Sequence, residues 1–166
     1  MNGLKSNKVP LYEEHVQKSE LKNFSNLRVQ PTRGVLLSKI ITCEKKDIDI
    51  EVDVSKIINF ISSNEDFIAK CLSVLIDTAI DLVEGLSKPA VKVEILSAEK
   101  NTTFVIVNNY SGNLADIKEK FTGGNGERIE VSKVIKMMSY EHNIKYDLYY
   151  DDEKVKQTMH IKNFHN

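Results

Sequence analysis

Hydrophobic positions along the chain repeat with two different periods. In residues 47–54, DIDIEVDV, apolar residues alternate strictly with charged ones, and this pattern predicts a strand with one buried face. In residues 64–86 apolar residues recur every three or four positions, which predicts a long amphipathic helix. Asn64 is a suitable N-cap for this helix, and Gly85 lies where the helix should end.

The same two patterns predict most of the remaining secondary structure. Helices are expected over residues 12–25, 35–46 and 129–143, and strands over residues 90–98, 102–109, 144–151 and 154–162. Pro31 is expected to interrupt helical structure before the second of these helices. Residues 111–128 contain four of the seven glycines and are expected to form a loop.

The order of the elements indicates the fold class. After residue 46 the chain is predicted to run strand, helix, two strands, glycine-rich loop, helix, two strands. This order differs from the regular alternation of a doubly wound sheet, and it favours an α/β protein built as a two-layer sandwich. We therefore expect a mixed sheet with helices 64–86 and 129–140 on one face, preceded by a helical segment.

Composition narrows the function classes. The chain has 166 residues, of which 41% are hydrophobic, so it can form one domain with a substantial core. Its net charge is −1 with no block of like charge, which argues against a general nucleic-acid-binding protein. Cys43 and Cys71 lie in apolar helical segments and are interpreted as buried thiols in a reducing compartment. No apolar run is long enough to span a bilayer, so a cytoplasmic location is expected.

A small polar cluster lies in the middle of the long apolar helix. Asp77, Thr78 and Asp81 fall within LSVLIDTAIDL, residues 72–82. These side chains could face water while the apolar residues face the core, or they could line a pocket. Thr78 and Asp81 are three positions apart and therefore share a helix face, and both offer the hard oxygen atoms that Mg²⁺ prefers.

Several segments together resemble one known protein family. The long helix reads LSVLIDTAIDL where the family typically has L-x-x-L-L-D-N-A-I-E-A. It is followed by two strands ending in TFVIVNN, a glycine-rich loop and EVSKVIKM. Upstream, NLRVQPTRGVLLSKIITCEKKDIDIEV resembles the family's stretch from the dimerisation helices into the first strand. Together these segments resemble the ATP-binding domain of the GHKL superfamily, which has the Bergerat fold. Within it they are similar to sensor histidine kinases for peptide pheromones, of the Agr and Com quorum-sensing type, over roughly residues 20–163.

This resemblance implies an ATP site with magnesium as its metal ion. In the family, the asparagine before the alanine of the helix motif ligates the magnesium, and Thr78 occupies that position here. Thr78 and Asp81 are therefore the expected metal ligands, with Asp77 beside them. Asn108, at the end of the second strand, matches the position that contacts adenine, and a carboxamide can pair with the edge of that base.

The glycine-rich loop corresponds to the family's lid over the nucleotide. Thr122 and Gly124 match the family's pattern, and Gly126 is expected to line the same site. The family's lysine between the first two is replaced by Gly123, which removes a positive charge.

The start of the next helix departs further from the family's pattern. Glu127 replaces an arginine, and Arg128 and Glu130 replace two glycines. The glycines let backbone N–H groups come close to phosphates, and longer side chains obstruct that approach. Added carboxylates also repel a triphosphate, so we expect ATP to bind weakly.

These matches lead to a division of the chain and to an expected function. Residues 1–30 are interpreted as a polar start and the end of a dimerisation helix, and residues 31–166 as the ATP-binding domain. The expected function is that of the C-terminal catalytic region of a two-component sensor histidine kinase in quorum sensing. Its expected partners are a response regulator and a second copy bound through upstream helices, and a sensor domain outside this chain would provide any membrane attachment.

A degenerate domain is the alternative. Such a domain would keep the fold for dimerisation or for docking a response regulator, without useful turnover of ATP. His15, in EEHVQKS, lacks the family's phosphoacceptor pattern and is interpreted as exposed helix surface. The acceptor histidine is therefore expected either outside this chain or missing from the protein.

Overall fold

The computed structural model describes residues 19–62, 64–123 and 130–163. Within these residues, one mixed sheet of six strands organises the domain. The strands are β1 (Ser19–Lys22), β2 (Asp49–Val54), β3 (Ala90–Ala98), β4 (Asn101–Asn109), β5 (Ile144–Tyr150) and β6 (Lys154–Lys162). The α-helices are α1 (Gln30–Lys45), α2 (Glu65–Val83), α3 (Leu114–Thr122) and α4 (Glu130–Ser139).

The strands lie in the order β1-β2-β3-β4-β6-β5. β1, β2 and β3 are parallel neighbours, and the pairs β3–β4, β4–β6 and β5–β6 are antiparallel. α2 provides the crossover between the parallel strands β2 and β3, whereas β3–β4 and β5–β6 are hairpins. The mixed sheet expected from the order of elements is confirmed.

The helices lie on one face of the sheet, which confirms the two-layer prediction. α2 packs against β3, β4 and α4, and α4 packs against β5. In β2, the residues Ile50, Val52 and Val54 are buried while the residues between them are more exposed. This alternation is the one predicted for a strand covered on a single face.

Local sequence explains where α2 begins and ends. The Asn64 side chain accepts a hydrogen bond of 3.2 Å from the backbone N–H of Phe67, and two acidic residues occupy the first turn. Gly85, with a φ of 89°, lies just after the helix in the left-handed region. The residues of α2 that join the core are Ile68, Ala69, Cys71, Leu72, Leu75, Ile76, Ala79, Ile80 and Val83.

Two predictions about helices in the middle of the chain are wrong. Pro31 does not interrupt α1 but lies in its first turn, where a missing N–H costs no helical hydrogen bond. The loop expected over residues 111–128 contains α3. Asn113 caps this helix by accepting a hydrogen bond from the N–H of Ala115, and Gly123 ends it.

The helix predicted over residues 12–25 is also wrong where the structure describes the chain. Ser19–Lys22 is a strand, and Phe24–Asn26 is one turn of 3-10 helix. The remainder of that prediction, residues 12–18, lies outside the described residues. The interpretation of residues 1–30 as the end of a dimerisation helix stays a prediction. Across the described ranges, no helix is both long and apolar enough to cross a lipid bilayer.

Candidate functional site

A cavity of about 240 Å³ lies between α2 and the pair α3 and α4. The described residues that line it are Val74, Asp77, Thr78, Asp81, Lys120, Glu130 and Val131. The polar cluster of the long helix therefore faces a cavity, which agrees with the explanation that these side chains line a pocket. Residues 124–129, which connect α3 to α4, lie outside the described residues, and so do the expected site residues Gly124 and Gly126.

Thr78 is almost completely buried, with 5% of its surface exposed. Its hydroxyl donates a hydrogen bond of 2.8 Å to the carbonyl oxygen of Val74, one turn earlier. The oxygen atom keeps its lone pairs and can still accept or ligate. A threonine at this position is shorter than the family's asparagine, so it reaches less far into the cavity.

Asp77 forms a short ion pair with Lys39 of α1. The distance from Lys39 Nζ to Asp77 Oδ1 is 2.6 Å, and the Lys39 side chain is only 13% exposed. The carboxylate with which Asp77 lines the cavity is therefore already paired with a cation from α1. Sequence reasoning missed Lys39, because its partner lies 38 positions away and no local pattern connects the two residues.

The described lining of the cavity carries more negative than positive charge. Among the described residues that line it, Asp77, Asp81 and Glu130 are acidic and Lys120 is basic. In the described part of the chain, no three or more His, Cys, Asp or Glu side chains are placed to hold a metal ion together. The role of Thr78 and Asp81 as metal ligands stays a prediction.

Asn108 lies near the end of β4 and is completely buried. Its Nδ2 donates a hydrogen bond of 2.8 Å to the carbonyl oxygen of Asn109, whereas its Oδ1 has no hydrogen-bond partner. A buried acceptor without a partner is rare, because leaving such a group unsatisfied costs free energy. Asn108 is not among the residues lining the cavity between α2, α3 and α4.

Asn108 nevertheless lies at the same end of the sheet as Thr78. α2 connects two parallel strands and so returns antiparallel to them, in the same general direction as β4. A hydrogen bond from Gln157 to Leu75 fixes the level of α2 over the strand pair formed by Ile106 and Gln157. From that level Thr78 lies about 4.5 Å further along the helix, and Asn108 about 7 Å further along the strand.

The last turn of α3 explains part of the altered lid pattern. Thr122 is exposed, does not line the cavity, and donates a hydrogen bond of 2.7 Å to the carbonyl oxygen of Lys118. Gly123 has a φ of 84°, the left-handed conformation that favours glycine. A lysine at this position would be strained in this backbone, so the loss of that charge accompanies the end of α3.

The cysteine of α1, Cys43, is not a candidate nucleophile. Burial raises the pKa of the Cys43 thiol to about 11, and the negative charge of Asp77 adds to this shift. The thiolate is the reactive form, and a group with such a pKa is almost fully protonated at neutral pH. Cys43 therefore contributes to the core, as its complete burial indicates.

Comparison with known proteins gives a clear answer at the level of fold. No protein-family model matches the sequence, and no curated protein matches it either. Solved structures do match, and the catalytic domain of histidine kinase ThkA superposes with a TM-score of 0.67 and 16% identity. That match covers 81% of this chain and 90% of the ThkA domain. The chain has the fold of a histidine kinase catalytic domain.

Two further structures support the same assignment of the fold. Acinetobacter baumannii histidine kinase AdeS matches with a TM-score of 0.60 and 15% identity, over 80% of this chain and 63% of the AdeS chain. ThkA in complex with the response regulator protein TrrA matches with a TM-score of 0.65 and 18% identity, over 81% of this chain and 40% of the ThkA chain. At these identities the similarity establishes the architecture alone.

Proposed function

We propose that this chain is the ATP-binding domain of a two-component sensor histidine kinase of the peptide-pheromone type, and that it faces the cytoplasm. The observation that carries this proposal is the buried Oδ1 of Asn108, which has no partner at the end of the sheet where α2 carries its polar cluster. The histidine kinase fold makes a nucleotide the first ligand to consider for such an acceptor.

The base end of a nucleotide suits this position. The exocyclic amine of adenine is a hydrogen-bond donor, and it would satisfy the buried acceptor of Asn108. Because Nδ2 is held by the carbonyl oxygen of Asn109, the carboxamide presents its oxygen and not its amine to a ligand. Guanine carries an acceptor where adenine carries the amine, so the proposal favours adenine nucleotides over guanine nucleotides.

The cavity suits the phosphate and metal end of a nucleotide poorly. Of the described residues that line the cavity, three are carboxylates and one is a lysine, and a triphosphate brings further negative charge. Asp77 already engages Lys39, and Thr78 offers only a short hydroxyl. We therefore propose weak binding of ATP to which magnesium adds little. In a working kinase of this fold, ATP supplies the phosphoryl group for a histidine, and we derive no such step for this chain.

The acidic cavity also favours a second candidate function. A domain that has lost useful ATP turnover could keep its fold for dimerisation or for docking a response regulator. ThkA, which has the same fold, has been crystallised with the response regulator protein TrrA. A response regulator is accordingly the partner that we propose under either function, and quorum sensing is the signalling context that the sequence motifs favour.

Calorimetric titration with ATP, with and without magnesium, tests the proposal. We expect a dissociation constant in the high micromolar range or weaker, a small effect of magnesium, and weaker binding of GTP. Asn108→Leu, which keeps the number and branching of the side-chain heavy atoms and removes the acceptor, should reduce binding of ATP and of adenosine. Leu114→Ala serves as a control, because Leu114 is exposed on α3 and does not line the cavity.

Two results would change the conclusion. Binding of magnesium–ATP at low micromolar concentration would replace the weak-binding proposal with a working kinase domain that uses unusual ligands. No binding of any adenine nucleotide would reject the nucleotide site and leave the docking function. A pull-down with response regulators encoded beside this chain would then test that second candidate.

A further inference from the structure

We propose that Lys39 is a positioning residue that sets how strongly the cavity binds anions, by neutralising Asp77. Nothing in the sequence motifs or in the fold similarity assigns a role to Lys39. The inference rests on the proposed nucleotide site. Lys39 belongs to α1 and does not line the cavity, but its charge controls the electrostatics of that site.

The geometry of the pair supports this role. Lys39 Nζ lies 2.6 Å from Asp77 Oδ1, and the Lys39 side chain is 13% exposed while that of Asp77 is 49% exposed. Asp77 lines the cavity, and Lys39 does not. Lys39 therefore acts on the cavity through Asp77. Because the lysine is largely shielded from water, solvent screens its charge less than it screens the charge of an exposed lysine.

A second ion pair, between the residues that directly follow α1 and α2, provides an internal comparison. Lys46 and Glu84 lie seven positions after Lys39 and Asp77, and their Nζ–Oε1 distance is 2.8 Å. Both side chains are more exposed than Lys39, at 38% and 53%, and neither residue lines the cavity. One pair joins the two helices and the other joins the residues just after them, but of the two only Lys39–Asp77 contributes a charge to the described wall of the cavity.

The two members of the first pair should have opposite effects on anion binding. Loss of the Lys39 charge leaves Asp77 uncompensated beside two further carboxylates, which repels a phosphate group. Loss of the Asp77 charge leaves the positive charge of Lys39 uncompensated behind the cavity wall, which attracts a phosphate group. A pair that serves only to join two helices would weaken ligand binding when either partner is replaced.

Titrations with a ligand series of increasing charge test this inference. The probes are adenosine, AMP, ADP and ATP without magnesium, at low salt, against the unmodified chain, Lys39→Met, Asp77→Asn and Lys46→Met. For ATP we expect about threefold or more weaker binding with Lys39→Met and a similar gain with Asp77→Asn. Both effects should shrink steadily from ATP to AMP and be absent for adenosine, and Lys46→Met should bind every probe like the unmodified chain.

The outcomes separate this inference from the function on which it rests. If the unmodified chain binds none of the probes, the nucleotide site is rejected and the role of Lys39 with it. The chain can also bind the probes while Lys39→Met changes all affinities by one common factor, or while Asp77→Asn weakens the binding of ATP as well. Either result would show that Lys39 has only a structural role. Urea unfolding of each variant shows whether the fold is kept. If Lys39→Met does not fold, the direction in which Asp77→Asn changes the affinity for ATP decides whether Lys39 has the proposed role.

Discussion

Gln157 on β6 ties α2 to the sheet through a hydrogen bond of 3.0 Å from its Nε2 to the carbonyl oxygen of Leu75. Its Oε1 accepts a hydrogen bond of 3.2 Å from the hydroxyl of Tyr146 on β5, so one carboxamide links three elements. Gln157 is completely buried, and burial raises the pKa of the Tyr146 hydroxyl. Thr78 lies one turn further along α2, so this link sets the height of the polar cluster over the sheet.

Replacing Gln157 with leucine should destabilise the domain by about 1–3 kcal/mol, because the Tyr146 hydroxyl loses its acceptor while it stays largely buried. Urea unfolding measures this cost. The double variant Gln157→Leu with Tyr146→Phe removes both polar partners and should cost less than the sum of the two single variants. Strict additivity would show that the two side chains do not cooperate.

Restoring the family's residues should recover nucleotide binding. Thr78→Asn supplies the expected metal ligand, and Arg128→Gly with Glu130→Gly restores the two glycines of the family's pattern. Together these changes should strengthen magnesium–ATP binding by about a hundredfold, since each lost contact to a charged group is worth about 1.5–3 kcal/mol. Calorimetry measures the gain, and circular dichroism checks that the larger asparagine side chain is accommodated. An unchanged affinity in the triple variant would contradict the assignment of these positions.

Alanine should have opposite effects at two glycines. Gly34 lies in α1 with no atom within 4 Å of an added Cβ, so Gly34→Ala should stabilise the domain by about 0.5–1 kcal/mol. Gly123 has a positive φ, and an added Cβ would lie 3.1 Å from Ser132 Oγ, so Gly123→Ala should destabilise by about 1 kcal/mol or more. Thermal unfolding of the two variants compares them directly. A neutral Gly123→Ala would show that α3 can end in another way.

The Cys71 thiol should make stability fall at alkaline pH. Burial raises its pKa from 9.0 to about 11, so the unfolded chain loses this proton before the folded one does. The contribution of the thiol is therefore complete below pH 9.0 and is lost as the pH rises through about 11. Cys71→Ala lacks this ionisation, and its deficit in unfolding free energy should shrink over that range. A deficit that stays constant with pH would contradict the shift.

Local patterns in the sequence were enough to predict the elements that carry their own start, stop and period. α2 has a capping asparagine, a regular apolar face and a terminal glycine, and the two hairpins have alternating strands with short turns between them. α3 also has a capping asparagine and a terminal glycine, but only Ile117 and Phe121 of its residues are buried, so its apolar face is too short to show a clear period. β1 reads SELK and exists through pairing with residues 50–53, which no local pattern reveals.

The candidate site was predictable to the extent that one helix carries it. Asp77, Thr78 and Asp81 share a turn of α2, so helical spacing alone brings them together at the cavity. Their surroundings depend on long-range packing, as the ion pair with Lys39 and the cavity shared with Lys120 and Glu130 show. Asn108, the residue matched to the adenine contact, does not line that cavity. It lies on β4, and the position of a strand and the face of a helix are determined by separate parts of the chain.

The position of β1 at the sheet edge has a mechanical consequence. Ser19 pairs with Ile50 and lies at one end of the sheet, whereas Lys162 pairs with Asn101 and lies at the opposite end. Tension applied between Ser19 and Lys162 would therefore run along the strands, and the backbone hydrogen bonds between β1 and β2 would be loaded together in shear. Peeling, which breaks such bonds one at a time, would require a pull across the strands. The domain is thus built to pass a pulling force from one end of its sheet to the other without unzipping its edge.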